Sequence, residues 1–348
     1  MMKKHQTFLK KPENLVPGIL LCLGLAIPAW IAGKFFPVIG GAVFAILFAL
    51  IIGQFFRPER CMSGIKFTGK KILQYSIILL GFEMQIKNVL AVGSQSLLIM
   101  LFTLTAAFVT AAVMYRMIRV PGKQAVLIGV GTCICGGSAI AATAPVINAD
   151  DHDIAQSIST IFLFNIIAVF IFPAIGRLLG LSDSGFGLWA GTAVNDTSSV
   201  VATAAAWSEA AGNNTALALA TIVKLTRTLL IIPVTLVLAI AMARAAKKAH
   251  STGAGTGSFN IIKIFPWFVI GFVVAALINS FGFLPPAVPP FLSQCGKFMI
   301  VIAMAAIGLS TDVRKLVSGG WRPILLGFAC WVAVAAVSLA VQHFSGLL

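Results

Sequence analysis

Eleven apolar runs, separated by short polar segments, occupy the chain from end to end: residues 17–33, 38–55, 72–86, 95–115, 124–147, 155–176, 186–208, 214–240, 264–281, 297–309 and 323–345. A helix that crosses the hydrocarbon core of a bilayer needs about 20 predominantly apolar residues. The third and tenth runs fall short of this, which predicts that their helices extend into the flanking segments. Backbone N–H and C=O groups in lipid must be satisfied within the segment, and for runs of this length that means helices. The pattern therefore predicts an all-α, polytopic membrane protein of about eleven transmembrane helices. Two connections stand out. Residues 244–263 contain the Gly/Ser/Thr-rich stretch from His250 to Ser258, read as a flexible linker. Residues 281–291 are stiffened by prolines. Neither is long enough to form a domain, so residues 1–348 are read as one integral membrane unit. The basic N-terminus leads into a full apolar run without a cleavage site, which is read as a retained first helix.

Composition agrees with the pattern. The apolar set makes up 59% of the chain and charged residues 10%, with a mean hydropathy of +1.00. A soluble domain carries about 25% charged residues. The net charge of +15 would suit a nucleic-acid binder, but the cations lie in short clusters between apolar runs and make no aromatic-basic face. Their distribution instead sets an orientation. With eleven spans and the N-terminus inside, twenty Lys and Arg residues fall in cytoplasmic segments and three, Lys34, Lys87 and Lys297, outside. By the positive-inside rule the N-terminus is cytoplasmic and the C-terminus external, as expected of a bacterial inner-membrane protein. In this count the cluster Asp150, Asp151, His152 and Asp153, and also Glu209, fall outside, and Arg177 inside. The six cysteines show no disulfide framework. Cys133 and Cys135 form a single CxC, read as small packing residues rather than a metal site, and no metal or other cofactor is expected.

Two internal similarities appear. Leu80–Lys87 resembles Ile307–Arg314, at the ends of spans that run in opposite directions, which suggests an inverted repeat of the transporter type. The segment beginning Gly131-Thr132 also matches the one beginning Gly191-Thr192 at Gly, Thr, Ser, Ala, Thr and Ala. In an eleven-span topology this second pair is parallel, so a simple inverted repeat does not account for it.

Polar side chains in mid-span are costly and mark function or a dedicated partner. Gly136-Gly137-Ser138 weakens its helix and predicts a break lining a cavity, with N–H groups available to an anion. Asn195, Asp196 and Thr197 fall near mid-membrane. Asp196 is a candidate proton or ion carrier, or else a structural carboxylate. Lys224 and Arg227, at i and i+3 on one helical face with Thr228 alongside, sit too deep to reach the interface. With Asp196 as the only facing acid, one positive charge remains for a mobile anion. A buried ion-pair network is the alternative. Asn165 is a further cavity candidate, and Asn279 is read as a helix–helix hydrogen bonder. Glu83, Gln85 and Asp312 lie at span ends, in structural or gating positions. The sequence has neither HExxH nor GxxxxGK[ST], which excludes a zinc hydrolase of that type and an ATP-driven pump built on this chain alone. No nucleophile–base set is evident either, and an enzyme is not expected.

At these residues the chain resembles a known group. GVGTCICGGSAIAATAPVI, GTAVNDTSSVVATAAAW, the KLTR pair and IGLSTDV are similar to segments of the YeiH-like sulfate-exporter family of bacterial inner-membrane proteins. That family is grouped with cation:proton antiporters and bile-acid-symporter-like transporters. The resemblance covers nearly the whole chain. It implies a panel-and-core fold in which two interrupted helices, here Gly131–Pro145 and Gly191–Ala206, cross near the substrate, with Asn195-Asp196 at the second crossing. The expected function is secondary transport of a small anion, of the sulfate or sulfonate type, coupled to H⁺ or Na⁺. Lys224, Arg227, Gly136, Gly137, Ser138 and Asn165 would bind substrate, and Asn195, Asp196 and Thr197 the coupling ion. A cation/proton antiporter is the rival reading, and a non-transporting scaffold or sensor the third.

Overall fold

The computed structural model describes residues 15–37, 39–56, 58–248, 267–312 and 320–347. Lys3, Lys4, Lys10, Lys11, Arg57, Lys263, Arg314, Lys315 and most of the linker 244–263 lie outside the described residues. Every run forms helix, and no strand occurs among the described residues. The chain is an all-α, multi-pass membrane protein. In order, the helices are α1 (Val16–Phe35), α2 (Gly41–Phe55), α3 (Met62–Phe67), α4 (Leu73–Gly81), α5 (Ile86–Ile118), α6 (Gly122–Cys133), α7 (Gly137–Thr143), α8 (Asp151–Leu178), α9 (Asp183–Ala193), α10 (Thr197–Ala211), α11 (Thr215–Leu229), α12 (Ile231–Lys248), α13 (Trp267–Ser280), α14 (Val288–Ser310) and α15 (Trp321–Phe344).

Among the described residues, six helical stretches are long and apolar enough to cross a membrane: Val16–Phe35, Ile86–Ile118, His152–Leu178, Thr215–Met242, Val288–Ser310 and Trp321–Phe344. Both short runs extend as expected. The tenth begins at Val288. The third starts at Met62, because α3 and α4 are joined by a π-helical turn over Thr68–Ile72.

Two runs do not pass straight through. The run 124–147 is interrupted after Cys133, and the chain then folds back. Lys123 Nζ donates to the Asn148 carbonyl at 2.6 Å, whereas a continuous helix would hold those residues about 37 Å apart. The run 186–208 does the same. Asp183, in the first turn of α9, accepts from Trp207 Nε1 at 2.7 Å and from Asn213 Nδ2 at 2.7 Å. Phe186 stacks on Trp207 across this second hairpin, with centroids 4.0 Å apart. The interruptions stand where the sequence placed them, but the interrupted helices return to their own side and do not cross. Charge alone cannot reveal this, because folding back two spans leaves the parity of the count unchanged. The first and last described helices keep the directions of the straight count, while the loops flanking α8 exchange sides. Arg177 joins Lys34, Lys87 and Lys297, which makes the distribution nineteen to four. The Asp150–Asp153 segment joins the cation-rich side. The two ends of the protein are called here the basic end and the sparse end.

The helices form two bundles. One contains α1 to α4 with α13 and α14. The other contains α5 to α12 with α15. Within the second, α9 lies close along α11 through Gly187 and Gly191. An added Cβ at Gly187 would meet the Ala216 carbonyl at 2.9 Å, and one at Gly191 would meet Val223 at 2.7 Å. Small residues four apart let two backbones approach in a membrane, and this contact brings the Lys224 and Arg227 turn of α11 beside the end of α9.

Candidate functional site

The two hairpins enter from opposite ends of α8, and their tips meet. α6 ends at Cys133 and α7 starts at Gly137. α9 ends at Ala193 and α10 starts at Thr197. These are equivalent positions of the two matching segments. At the first tip Gly136 has φ +66°, which favours glycine, and an added Cβ there would lie 3.4 Å from the Cβ of Asp196. At the second tip Asp196 caps α10, with Oδ2 accepting from the Ser198 N–H at 2.9 Å and from the Ser198 hydroxyl. Asn165 of α8 accepts the Asp196 N–H at 3.1 Å. The Asn195 side chain is buried beside it, and among the described residues neither of its amide atoms has a partner; Asn165 Nδ2 also lacks one there. Unpaired buried amides are rare, since each costs about 1–3 kcal/mol.

Lys224 and Arg227 are wholly buried, and their partners differ from the expected ones. Lys224 Nζ donates to the carbonyls of Ile134 (2.6 Å), Val194 (3.2 Å) and Asn195. Arg227 donates through Nε to Cys133 O (2.7 Å), through one terminal nitrogen to Val194 O (3.3 Å) and through the other to Thr132 O (2.6 Å). The acceptors are Thr132 and Cys133 at the end of α6 and Ile134, Val194 and Asn195 just beyond the ends of α6 and α9, where carbonyls lack internal partners and the negative ends of the helix dipoles lie. The two cations therefore cap both broken helices and pin the tips together. The three N–H groups of Lys224 are all engaged, so it has no donor left for an anion. The partners seen for both cations are main-chain carbonyls rather than a carboxylate, so carbonyl capping stands where the ion-pair alternative placed an acid.

A cavity of about 690 Å³ runs along the seam between the bundles to the tips. On the hairpin side it is lined by Gly137, Ser138, Asp196, Thr197, Ser198 and Thr228. The opposite wall includes Gly69 and Lys70 of the π-helical turn, a local widening that is frequent at functional sites. Of the expected site residues, Gly137, Ser138, Asp196 and Thr197 reach the cavity wall, Gly136, Asn165 and Asn195 sit just behind it, and Lys224 and Arg227 support it from within. The sequence reading missed Lys70, because a lysine at the edge of an apolar run looks like an ordinary interfacial charge. The matching-motif alignment, by contrast, was a usable sign that the tips are equivalent.

A second cavity of about 340 Å³ opens along the same seam from the sparse end, lined by Lys34, Glu209, Asn214 and Lys297 among others. Along its walls the bundles are joined. Glu209 Oε2 of α10 accepts from the Gly41 N–H at the start of α2, at 2.8 Å. Glu83, just after α4, accepts from Asn214 Nδ2 at 2.8 and 3.0 Å and from the Ser293 hydroxyl. Burial holds the Glu209 carboxyl above the usual carboxylate range, against the lowering effect of the Gly41 N–H.

The family profile described as conserved hypothetical protein 698 matches residues 17–327. A UPF0324 membrane protein of Fusobacterium nucleatum is 45% identical over 351 residues, covering 96% of this chain and 99% of the relative. UPF0324 membrane proteins of Streptococcus agalactiae and Streptococcus pyogenes are 48% and 50% identical, covering 96% and 95% of this chain and 98% of each relative. The chain belongs to the UPF0324 membrane-protein family. The profile spans both hairpins, the α11 cations and Glu83, so the UPF0324 match includes every part of the site.

Proposed function

We propose that this UPF0324 protein is a secondary transporter of a small anion, of the sulfate or sulfonate type named by the YeiH-like resemblance, in the bacterial inner membrane. Its basic end is cytoplasmic, and its two bundles expose the hairpin tips to one side and then to the other. The observation that carries this reading is the pair of cavities, one from each end of a single seam, with the larger reaching the tips and the smaller bridged by bonds between the bundles. The two hairpins are read as an inverted repeat, the design that gives a transporter two nearly equivalent conformations. An anion suits the local charge. Lys224 and Arg227 are fixed positive charges behind the tips, Lys70 stands on the cavity wall, and Asp196 is the carboxylate among them. In a dry site such charges act through the tip without touching the ligand. Asp196 is the proposed coupling group. The unpartnered Asn195 beside Asp196 favours a second reading, a cation/proton antiporter.

Proteoliposomes holding an internal pH dye separate the two readings. In an anion transporter, a sulfate or sulfonate gradient drives a pH change that the parent supports and Asp196→Asn does not. A pH change driven by sodium or potassium gradients, with none driven by anions, replaces the anion reading with the antiporter. No pH change or anion flux under either gradient removes transport altogether.

A further inference from the structure

The Lys224 head group sits in a setting with a chemical meaning of its own. Its nitrogen is completely buried and meets three main-chain carbonyl oxygens, from Ile134, Val194 and Asn195. Ile134 directly follows α6 and Val194 directly follows α9, at equivalent positions of the two matching segments. Each is therefore the C-terminal end of a broken helix, carrying unsatisfied carbonyls and about half a negative charge. Two such ends facing each other repel unless a cation stands between them. Converging main-chain carbonyls with no carboxylate among them are the donor set that monovalent cations take in channels and in broken-helix transporters. Neighbouring groups do not compete for this place. Arg227 is committed to Cys133, Thr132 and the shared Val194 carbonyl.

We propose that the carbonyls of Ile134, Val194 and Asn195 form a monovalent-cation seat that the Lys224 ammonium fills from within the chain, so that the hairpin tips are held together without a mobile alkali ion. The seat itself does not depend on which solute is transported. One consequence rests on the transport reading. With this position permanently occupied by a tethered cation, sodium has no place at the junction of the helix ends, and the coupling ion is the proton. The arrangement also accounts for two cations at a depth where charge is costly. One ammonium replaces both a bound ion and the hydration that ion would need, and the guanidinium anchors it by sharing Val194.

The test is a thermal-melting comparison in detergent at constant ionic strength, with ammonium, methylammonium, potassium, sodium or choline chloride as the probe. Lys224→Ala empties the seat and leaves room for a small cation. Its melting temperature is expected to lie below that of the parent and to rise with ammonium or methylammonium concentration, in the saturable form of a ligand that binds only the folded state. Choline, too large for the seat, gives no rise. The parent, with its seat filled, melts at the same temperature in all five salts. A folded Lys224→Ala protein that responds equally to choline and ammonium overturns the proposal. If the variant does not survive extraction, the parent decides: a melting temperature raised specifically by sodium or potassium means that a mobile cation is still required, and the tethered role is wrong. Failure of the flux assay leaves this result untouched, because melting does not read transport.

Discussion

The two ends of the seam between the bundles are built differently. At the basic end the wall opens into a cavity that reaches Asp196, with Lys70 and the π-helical turn on the facing side. At the sparse end two carboxylates reach across, Glu209 to the first N–H of α2 and Glu83 to Asn214. Asn279 and Ser280 of α13 add bonds to the Met84 carbonyl and the Ile86 N–H on the same side. The contrast shows how a seam between rigid bundles can be closed at one end by a few bonds while the hairpin tips stay intact. The Glu209 bond is charge-assisted and sits at a helix N-terminus, where a carboxylate is favoured. It is nonetheless a single bond of about 1.5–3 kcal/mol, and its loss is within reach of a ligand.

The largest effect concerns which end is which. If the hairpins turn back, exposed residues on the two sides of α8 lie on the faces opposite to those that eleven straight spans require. A cysteine at His152 should then be labelled by a membrane-impermeant maleimide from the cytoplasmic side, and one at Ser184 from the outside. The C-terminus falls on the same side in both topologies and serves as the control. Labelling of the two sites with the sides interchanged would restore straight spans and remove the opposed ends on which the contrast depends.

Next comes the pin at the tips, which both ends share. Arg227→Met fills similar space but leaves the Cys133 and Thr132 carbonyls unpaired. At about 1–3 kcal/mol for each, the expected loss of stability is roughly 2–6 kcal/mol, read as a large fall in melting temperature or in the yield of folded protein. An unchanged melting temperature would show that the carbonyls find other partners and that the cation does not hold the tips.

The smallest effect is on the closure alone. In a cysteine-free background, a cysteine at Ala205, on the wall of the sparse-end cavity, should react about tenfold faster when Glu209 becomes Ala. Tenfold corresponds to about 1.4 kcal/mol, near the lower limit for a charge-assisted bond. Glu209→Gln, which copies the protonated acid, should keep the end closed. The pH dependence follows from the raised carboxyl. Closed protein binds this proton more tightly than open or unfolded protein, so the favourable contribution is complete below the ordinary carboxylate value of about 4.3. It is lost as pH rises through the raised value. Labelling at Ala205→Cys should therefore quicken with pH in the parent and much less in Glu209→Gln. Lys34 and Lys297 line the same cavity. A flat profile in the parent would detach Glu209 from the closure.

Much of this was legible in the sequence. The eleven runs, the interruption at Gly136 and the depth of Lys224 and Arg227 follow from hydropathy and from the cost of polar groups in lipid, and the interruption at Asn195-Asp196 was implied by the family resemblance. The path of the two interrupted runs was not legible, and neither were the partners of the cations. A 24-residue apolar run has the same composition whether it crosses once or goes in and comes back, and its flanking charges cannot separate the cases when two such runs compensate. The parallel motif pair that fitted no repeat in a straight topology becomes an opposed pair of hairpins once each doubles back. Glu83 was recognisable as a gating candidate from its place at a span end. Its partner Asn214 was not, because the contact joins residues 131 apart.

The sequence by itself determined that the protein is helical and lies in a membrane, and which side chains are too deep to be there without a reason. It did so because burial in lipid is a local requirement that each segment meets alone. Only the tertiary structure decided what those side chains do. Lys224 could have met a ligand, a carboxylate or a helix end, and the choice depended on where α6 and α9 stop relative to α11. That distance is set by Gly187 and Gly191 packing against α11 and by Phe186 on Trp207, contacts between segments that no single stretch of chain contains.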